Sequence, residues 1–421
     1  MDMRVNNYKT QNTFTGYDAR RLAGLFVTDK YCIEQLRRIT SQYELDVYTP
    51  QIVSKSIRKD YADLARKNNM LWAQDFFMFL ANKAVLFDAS REHLTRVLRG
   101  CADGVAKQLK LKPIKMDVHI RGGNYFVCNV NGKRKLIIAE GRQYLPDELL
   151  KISHDVDEIC PIPKADFHVD LFLRPLDNGN VLLADNKLTV ESLKKLEQGY
   201  ADLIKQGNLT KSESEAYTNI VEQISLLLSK FEITEKFDRY KPRETTEEIA
   251  TRLQEYGFNP IRVPGNYYSL DKVKTREKEE KMMANFEKNM AAILDVSKAF
   301  PQAVREKAKI HVALQREIVK HDPHLGVELE SFYDSNFLNS IVFKDKNGKL
   351  VYITNASLFD RGVGITPEIE RKTGLSLANS FIESISPYVD RENIHFIDEK
   401  LTERLFKYMG GIHCSAAEIP A

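Results

Sequence analysis

Three tight-turn signals, Asn131-Gly132, Asp177-Asn178-Gly179 and Lys346-Asn347-Gly348, each join two short apolar runs. The joined runs are YFVCNV to KLIIAE, FHVDLFLRPL to NVLLAD, and NSIVF to KLVYITNA. Asn-Gly and Asp-Asn-Gly supply the left-handed backbone that a narrow hairpin requires, so these runs read as antiparallel strand pairs. Further strand-like stretches are residues 45–48, KAVLFD, VHI, NPIRVPG and NIHFID. Helical patterns lie between them, and strand, helix, strand units recur along the chain, which makes it α/β. No exact repeat is visible in the sequence, so any internal symmetry is one of structure only.

The helices are read from apolar spacing. Residues 17–110 are read as mainly helical apart from the strand stretches at 45–48 and KAVLFD. REHLTRVLRGCADGVAKQLK is the clearest of these helices, closed by Pro113. LPDELLKISHDV is a short helix, residues 190–231 are two helical stretches parted near Gly207-Asn208, and ETTEEIATRLQEY is another. A long charged block at 275–321, broken at Pro301, and KLTERLFKYM complete the set. The blocks at 190–256 and 275–325 read as helical insertions or lids. The KTREKEEK run within the second is a solvated face of mixed sign.

With 421 residues, 43% of them hydrophobic, the chain can bury a large core. Its 62 basic and 59 acidic residues leave a net charge of +3, without the basic field of a nucleic-acid binder. The N-terminus MDMRVNNYKTQNTF lacks a secretory apolar stretch, and no run of eighteen apolar residues occurs, so neither secretion by the general route nor membrane insertion is expected. A cytoplasmic location is the default expectation; a specialised secretion route would leave no such mark. Five cysteines, Cys32, Cys101, Cys128, Cys160 and Cys414, form an odd set without CxxC spacing. That argues for a reducing compartment and against a disulfide framework or zinc site, and at least one thiol is free.

Four segments carry residue types suited to chemistry on a cation. Near the C-terminus, GGIHC puts Cys414 behind Gly410-Gly411 and after His413. It reads either as a reactive thiol on a flexible, partly exposed turn or as a small buried hydrophobe. In LWAQDFF, Asp75 sits among Leu71, the only tryptophan Trp72, Phe76 and Phe77; a carboxylate there needs a partner, whether a substrate cation, a local Arg or a helix N-terminus. In FHVDLFLRPL, His168 and Asp170 are two apart on an expected strand and so share a face, as a proton-transfer unit or a polar pair at a sheet edge. In VHIRGGNYFVCN, Gly122 and Gly123 permit close backbone approach and Asn124 offers an amide; a bulge or turn fits equally well.

Taken in order, WAQD, RGGN, HVDLFL and GGIHC resemble the motifs of the guanidine-modifying enzyme superfamily, the penteins. The likeness covers scattered anchors between Trp72 and Cys414 and leaves the first seventy residues uncovered. It implies a five-bladed α/β propeller of ββαβ units about a pseudo-fivefold axis over residues 43–421, with a helical region at 1–42. It also implies Cys414 as nucleophile, His168 as general acid and base, and Asp75 and Asp170 as the carboxylates that grip a guanidinium, with no metal and no cofactor. Gly123, Asn124 and Arg121 are implied as further substrate contacts. A planar, permanently charged guanidinium suits two carboxylates, which draw electrons from the carbon that a thiolate attacks.

The chain departs from free-arginine and agmatine deiminases, which usually carry Glu before Gly-Gly where this sequence has Arg121. Protein-arginine deiminases lack that Glu, and HVDLFL is closest to theirs. The expected partner is therefore an arginine-containing peptide or protein, or a small guanidino compound, with Arg121 either holding a substrate oxygen or paired with Asp117 or Glu140. The expected reaction is deimination to a ureido product and ammonia. An amidinotransferase and a non-catalytic binding protein are the alternatives, and the sequence is silent on oligomeric state.

Overall fold

The computed structural model describes residues 22–49, 72–80, 84–88, 92–116, 123, 125–139, 157–163, 168–235, 246–264, 267–268, 276–321, 333–407 and 410–420. Five three-stranded sheets in it share one order: an antiparallel pair, then a third strand parallel to the middle one. Leu22–Val27 pairs antiparallel with Ala416–Pro420 and parallel with Asp46–Tyr48. Phe77–Leu80, Ala84–Asp88 and Lys112–Met116 repeat the order. So do Tyr125–Val130, Lys133–Ala139 and Glu158–Ile162. The remaining two are Leu173–Pro175, Asn180–Ala184 and Asn259–Val263, and Ile341–Lys344, Leu350–Thr354 and Ile394–Phe396.

Two parallel strands need a crossover, and helices supply it wherever the connection is described. Lys30–Thr40 crosses in the first sheet and Glu92–Leu109 in the second. Asn186–Gln206, Lys211–Glu235 and Thr246–Glu255 cross in the fourth, and Leu358–Gly362, Pro367–Thr373 and Leu377–Ile385 in the fifth. The hairpins turn where expected: Asn131, Gly132, Asn178, Gly179 and Gly348 all have φ between 52° and 79°. Gly207 ends Asn186–Gln206 in the left-handed conformation at φ 73°.

Shared cores join the sheets side by side. Phe26, Ala417 and Ile419 pack with Phe77, Phe79 and the Glu92–Leu109 helix. Leu25 and Val27 pack with Ile341, Phe343 and Ile353. Leu182 and Val263 pack with Val342, Tyr352 and Phe381, while Phe126, Ile137 and Cys160 pack with Val169, Leu173 and Val181. The helices Arg276–Ser297 and Gln302–His321 share a small core of Phe286, Met290 and Val312. No helix among the described residues is long and apolar enough to cross a membrane.

Three expectations are corrected. Leu22–Val27 is a strand, not part of a helical N-terminal region, because LAGLFV is a short apolar run whose pairing partner, Ala416–Pro420, lies at the other end of the chain. Periodicity alone does not separate such a run from a buried helix. Pro113 lies inside the edge strand Lys112–Met116, where a missing N–H is tolerated, and the helix before it ends at Leu109. His168 and Asp170 precede a strand instead of occupying one: Val169–Leu171 is a 3-10 turn and the strand begins at Leu173. The reading of 145–156 as a helix lies outside the described residues.

Candidate active site

The segment just before the outer antiparallel strand of each three-stranded sheet supplies a residue to one buried cluster. Gln74 precedes Phe77–Leu80, Gly123 precedes Tyr125–Val130, and His168 and Asp170 precede Leu173–Pro175. Asn336 and Asn339 precede Ile341–Lys344, and His413 and Cys414 precede Ala416–Pro420. Convergence is direct. Asn336 Nδ2 donates to Leu171 O at 3.2 Å, the Gln74 N–H donates to Cys414 O at 3.3 Å, and the His413 N–H donates to Asn339 Oδ1 at 2.9 Å.

Asp170 is the hub, with no solvent exposure. Its Oδ2 accepts from His413 Nδ1 at 2.7 Å and from the Cys414 thiol at 3.5 Å, while Oδ1 lies 3.9 Å from His168 Nδ1. Gly123 faces the same oxygen: a Cβ there would stand 2.8 Å from Asp170 Oδ1 and 2.6 Å from His168 Nδ1, so only glycine lets these three groups meet. His413 is wholly buried, and desolvation, with Arg174 and His168 nearby, holds it well below the usual imidazole range. Its Nε2 meets Gln74 Nε2 at 2.8 Å, and that amide nitrogen also donates to Ala416 O at 3.0 Å.

Cys414 is held by asparagines. Asn339 Nδ2 donates to Cys414 Sγ at 3.1 Å, and Asn355 Oδ1 accepts the Ile412 N–H at 3.0 Å. Asn355 Nδ2 in turn donates to the carbonyls of Asn336 and Asn339. The Gly-Gly pair serves close packing and not flexibility: a Cβ on Gly410 would meet the Trp72 ring at 2.5 Å, and one on Gly411 would meet Asn339 Oδ1 at 2.5 Å. This corrects the reading of a flexible, partly exposed turn, since residues 410–419 are buried and Cys414 is 5% exposed. Beside it, the buried Arg174 donates to Glu418 Oε1 at 2.6 Å, tying Leu173–Pro175 to Ala416–Pro420.

Of the residues singled out from the sequence, the structure brings together Cys414, His168, Asp170 and Gly123. The donor atoms of Cys414, His168 and Asp170 all lie within 4.8 Å of one another. Asp75 falls in the short helix Ala73–Phe76, but its side chain, like Arg121 and Asn124, lies outside the described residues. No sequence feature marks Gln74, Asn336, Asn339 or Asn355 as a reactive type. The signal for two of them was positional: SNFLN stands before its hairpin as RGGN and HVD stand before theirs. Thiol, imidazole and carboxylate at this spacing would suit a small cation; a buried carboxylate with a nucleophile beside it equally suits an amidinium.

No family model matches the chain, and no curated protein matches it. Among solved structures, agmatine deiminase from C. jejuni is similar at 12% identity and a TM-score of 0.47, with 99% of each chain covered. DDAH from Pseudomonas aeruginosa, in a mutant complexed with citrulline, is similar at 10% identity and a TM-score of 0.27, over 40% of this chain and 71% of that one. These are distant likenesses in the course of the chain.

Proposed function

We propose that the chain is a guanidine hydrolase of the pentein type, with Cys414 as nucleophile. The observation that carries this reading is the meeting of a thiol, an imidazole and a buried carboxylate within 4.8 Å, from sequence positions 168, 170 and 414. The five sheets are then blades about a pseudo-fivefold axis. Four shared cores and the convergence of all five leading segments support that arrangement.

A guanidinium entering beside Asp170 pairs with its carboxylate, and its positive charge next to Sγ favours the thiolate. The sulfur attacks the guanidinium carbon and forms the C–S bond; the tetrahedral adduct expels ammonia as His168 supplies the proton. His168 then takes a proton from water, whose oxygen attacks the thiouronium carbon and displaces the thiolate. The sum is guanidine plus water giving a ureido product and ammonia. Asp75 is the second carboxylate of this reading, and Arg121 and Asn124 contact the rest of the substrate.

His168, 12% exposed in its side chain, is the most solvent-open of the three groups and marks the side of entry. A guanidinium plane between sulfur and imidazole needs two van der Waals contacts of about 3.5 Å each. The present separation is shorter, so binding requires the His168 ring to swing outward. The substrate is arginine, most suitably within a peptide. Incubation with benzoyl-arginine ester, arginine peptides, free arginine and agmatine, reading ureido product and ammonia, tests the proposal; ammonia and a ureido product support it, and none from any of the four overturns it.

A further inference from the structure

His413 adjoins the nucleophile but has no part in the mechanism above. Both of its ring nitrogens are nevertheless engaged. Gln74 Nε2 donates to the Ala416 carbonyl, which can only accept, so the amide orientation is fixed and its second hydrogen points at His413 Nε2. Nε2 must then be the acceptor, and the single ring proton sits on Nδ1, 2.7 Å from Asp170 Oδ2. Groups near the ring include Arg174 and His168, which disfavour a second ring proton, Glu418 with Oε1 4.0 Å from Nε2, and the Phe126 ring at 5.7 Å. Arg174 and Glu418 pair with each other at 2.6 Å. Burial, Arg174 and His168 all hold the ring neutral.

We propose that His413 is a positioning residue for Asp170: a neutral Nδ1–H donor, locked in that tautomer by Gln74, that aims the carboxylate at the site without cancelling its charge. The distinction is electrostatic. A cationic partner would form an ion pair and weaken the grip of Asp170 on a substrate cation, whereas a neutral donor orients the anion and leaves its full charge to the ligand. Asp170 Oδ2 thereby faces both His413 and Cys414, and Oδ1 faces His168. The inference rests on the functional reading above only for the claim that the ligand is a guanidinium.

Three variants test it. His413→Asn retains an N–H near the Nδ1 position, His413→Leu removes it, and Gln74→Glu supplies an acceptor that draws a second proton onto the ring. Each is read in two ways. The first is kcat and KM against pH for whichever guanidine the wild type turns over. The second needs no turnover: the rate of Cys414 alkylation by 2-chloroacetamidine, a planar cation, relative to neutral chloroacetamide.

A charged hydrogen bond contributes about 1.5 to 3 kcal/mol, so His413→Leu is expected to cut the preference for the cation by roughly tenfold or more and to move the acid-side fall in activity to higher pH. His413→Asn restores most of both. Gln74→Glu raises KM far more than it lowers kcat. Unchanged preference and pH profile in His413→Leu, or equal damage in His413→Asn, overturns the proposal. If His413→Leu does not fold, the contrast between His413→Asn and Gln74→Glu decides: equal cation preference in the two overturns it. Absence of turnover in the wild type counts against the functional reading alone, because the alkylation ratio still reports whether His413 sets Asp170.

Discussion

Asn339 Nδ2 stands 3.1 Å from Cys414 Sγ while Oδ1 of the same side chain accepts the His413 N–H at 2.9 Å. One buried carboxamide therefore fixes both the sulfur and the backbone that carries it. A donor aimed at sulfur favours the thiolate, and an acceptor beneath the turn fixes its direction.

Asn339→Ala removes the side-chain acceptor of the His413 and Cys414 N–H groups and the donor to Cys414 Sγ in a dry site. A loss of about 2 to 4 kcal/mol is expected by chemical denaturation, with slower alkylation of Cys414 in the variant that remains folded.

Gly410→Ala drives a methyl group into the Trp72 ring, 2.5 Å from the Cβ position. Overpacking of this kind costs about 1 to 3 kcal/mol. Trp72→Leu makes room, so the double variant is expected to be more stable than the two single losses added together, a coupling that a double-mutant cycle measures.

Arg174→Met and Glu418→Gln each break a buried ion pair between two sheets. Removing one partner strands the other, at a cost of about 3 to 5 kcal/mol. Joint replacement is expected to cost less than the sum, as read from denaturant midpoints.

Asp360 is fully buried and accepts from the Leu377 and Ala378 N–H groups at the start of Leu377–Ile385. Desolvation nevertheless pushes its carboxyl up to about 6 from an ordinary 3.8. Between those values the native state holds a proton that the unfolded chain has released, so the contribution of this group is complete below about pH 4 and falls as pH rises through 6. The stability of Asp360→Asn relative to the wild type is therefore expected to rise by up to about 3 kcal/mol between pH 4 and 7, measured by denaturant titration. A flat difference would contradict the assignment.

Local chemistry was legible in the sequence and long-range pairing was not. Asn178-Gly179 and Asn347-Gly348 announced their hairpins because backbone sign is a local property. LAGLFV hid its strand because its antiparallel partner, Ala416–Pro420, closes the sheet from the far end of the chain. His168, Asp170 and Cys414 stood out as reactive types, whereas Gln74, Asn339 and Asn355 looked like ordinary polar residues. Their roles come from packing against Gly411 and His413, which only the fold brings near.

In the proposed reaction Cys414 is a nucleophile beside a carboxylate that receives a planar cation. The most direct test is site-resolved alkylation by 2-chloroacetamidine against chloroacetamide, quantified by peptide mass spectrometry. Burial raises the thiols of Cys101 and Cys160 to about 12 and that of Cys32 further still, so these should stay unmodified. Labelling confined to Cys414, at least roughly tenfold faster for the amidine and slowed by an arginine peptide, is the result expected from a charged hydrogen bond to the cation. Equal rates for the two reagents, or labelling that leaves Cys414 untouched, would contradict it.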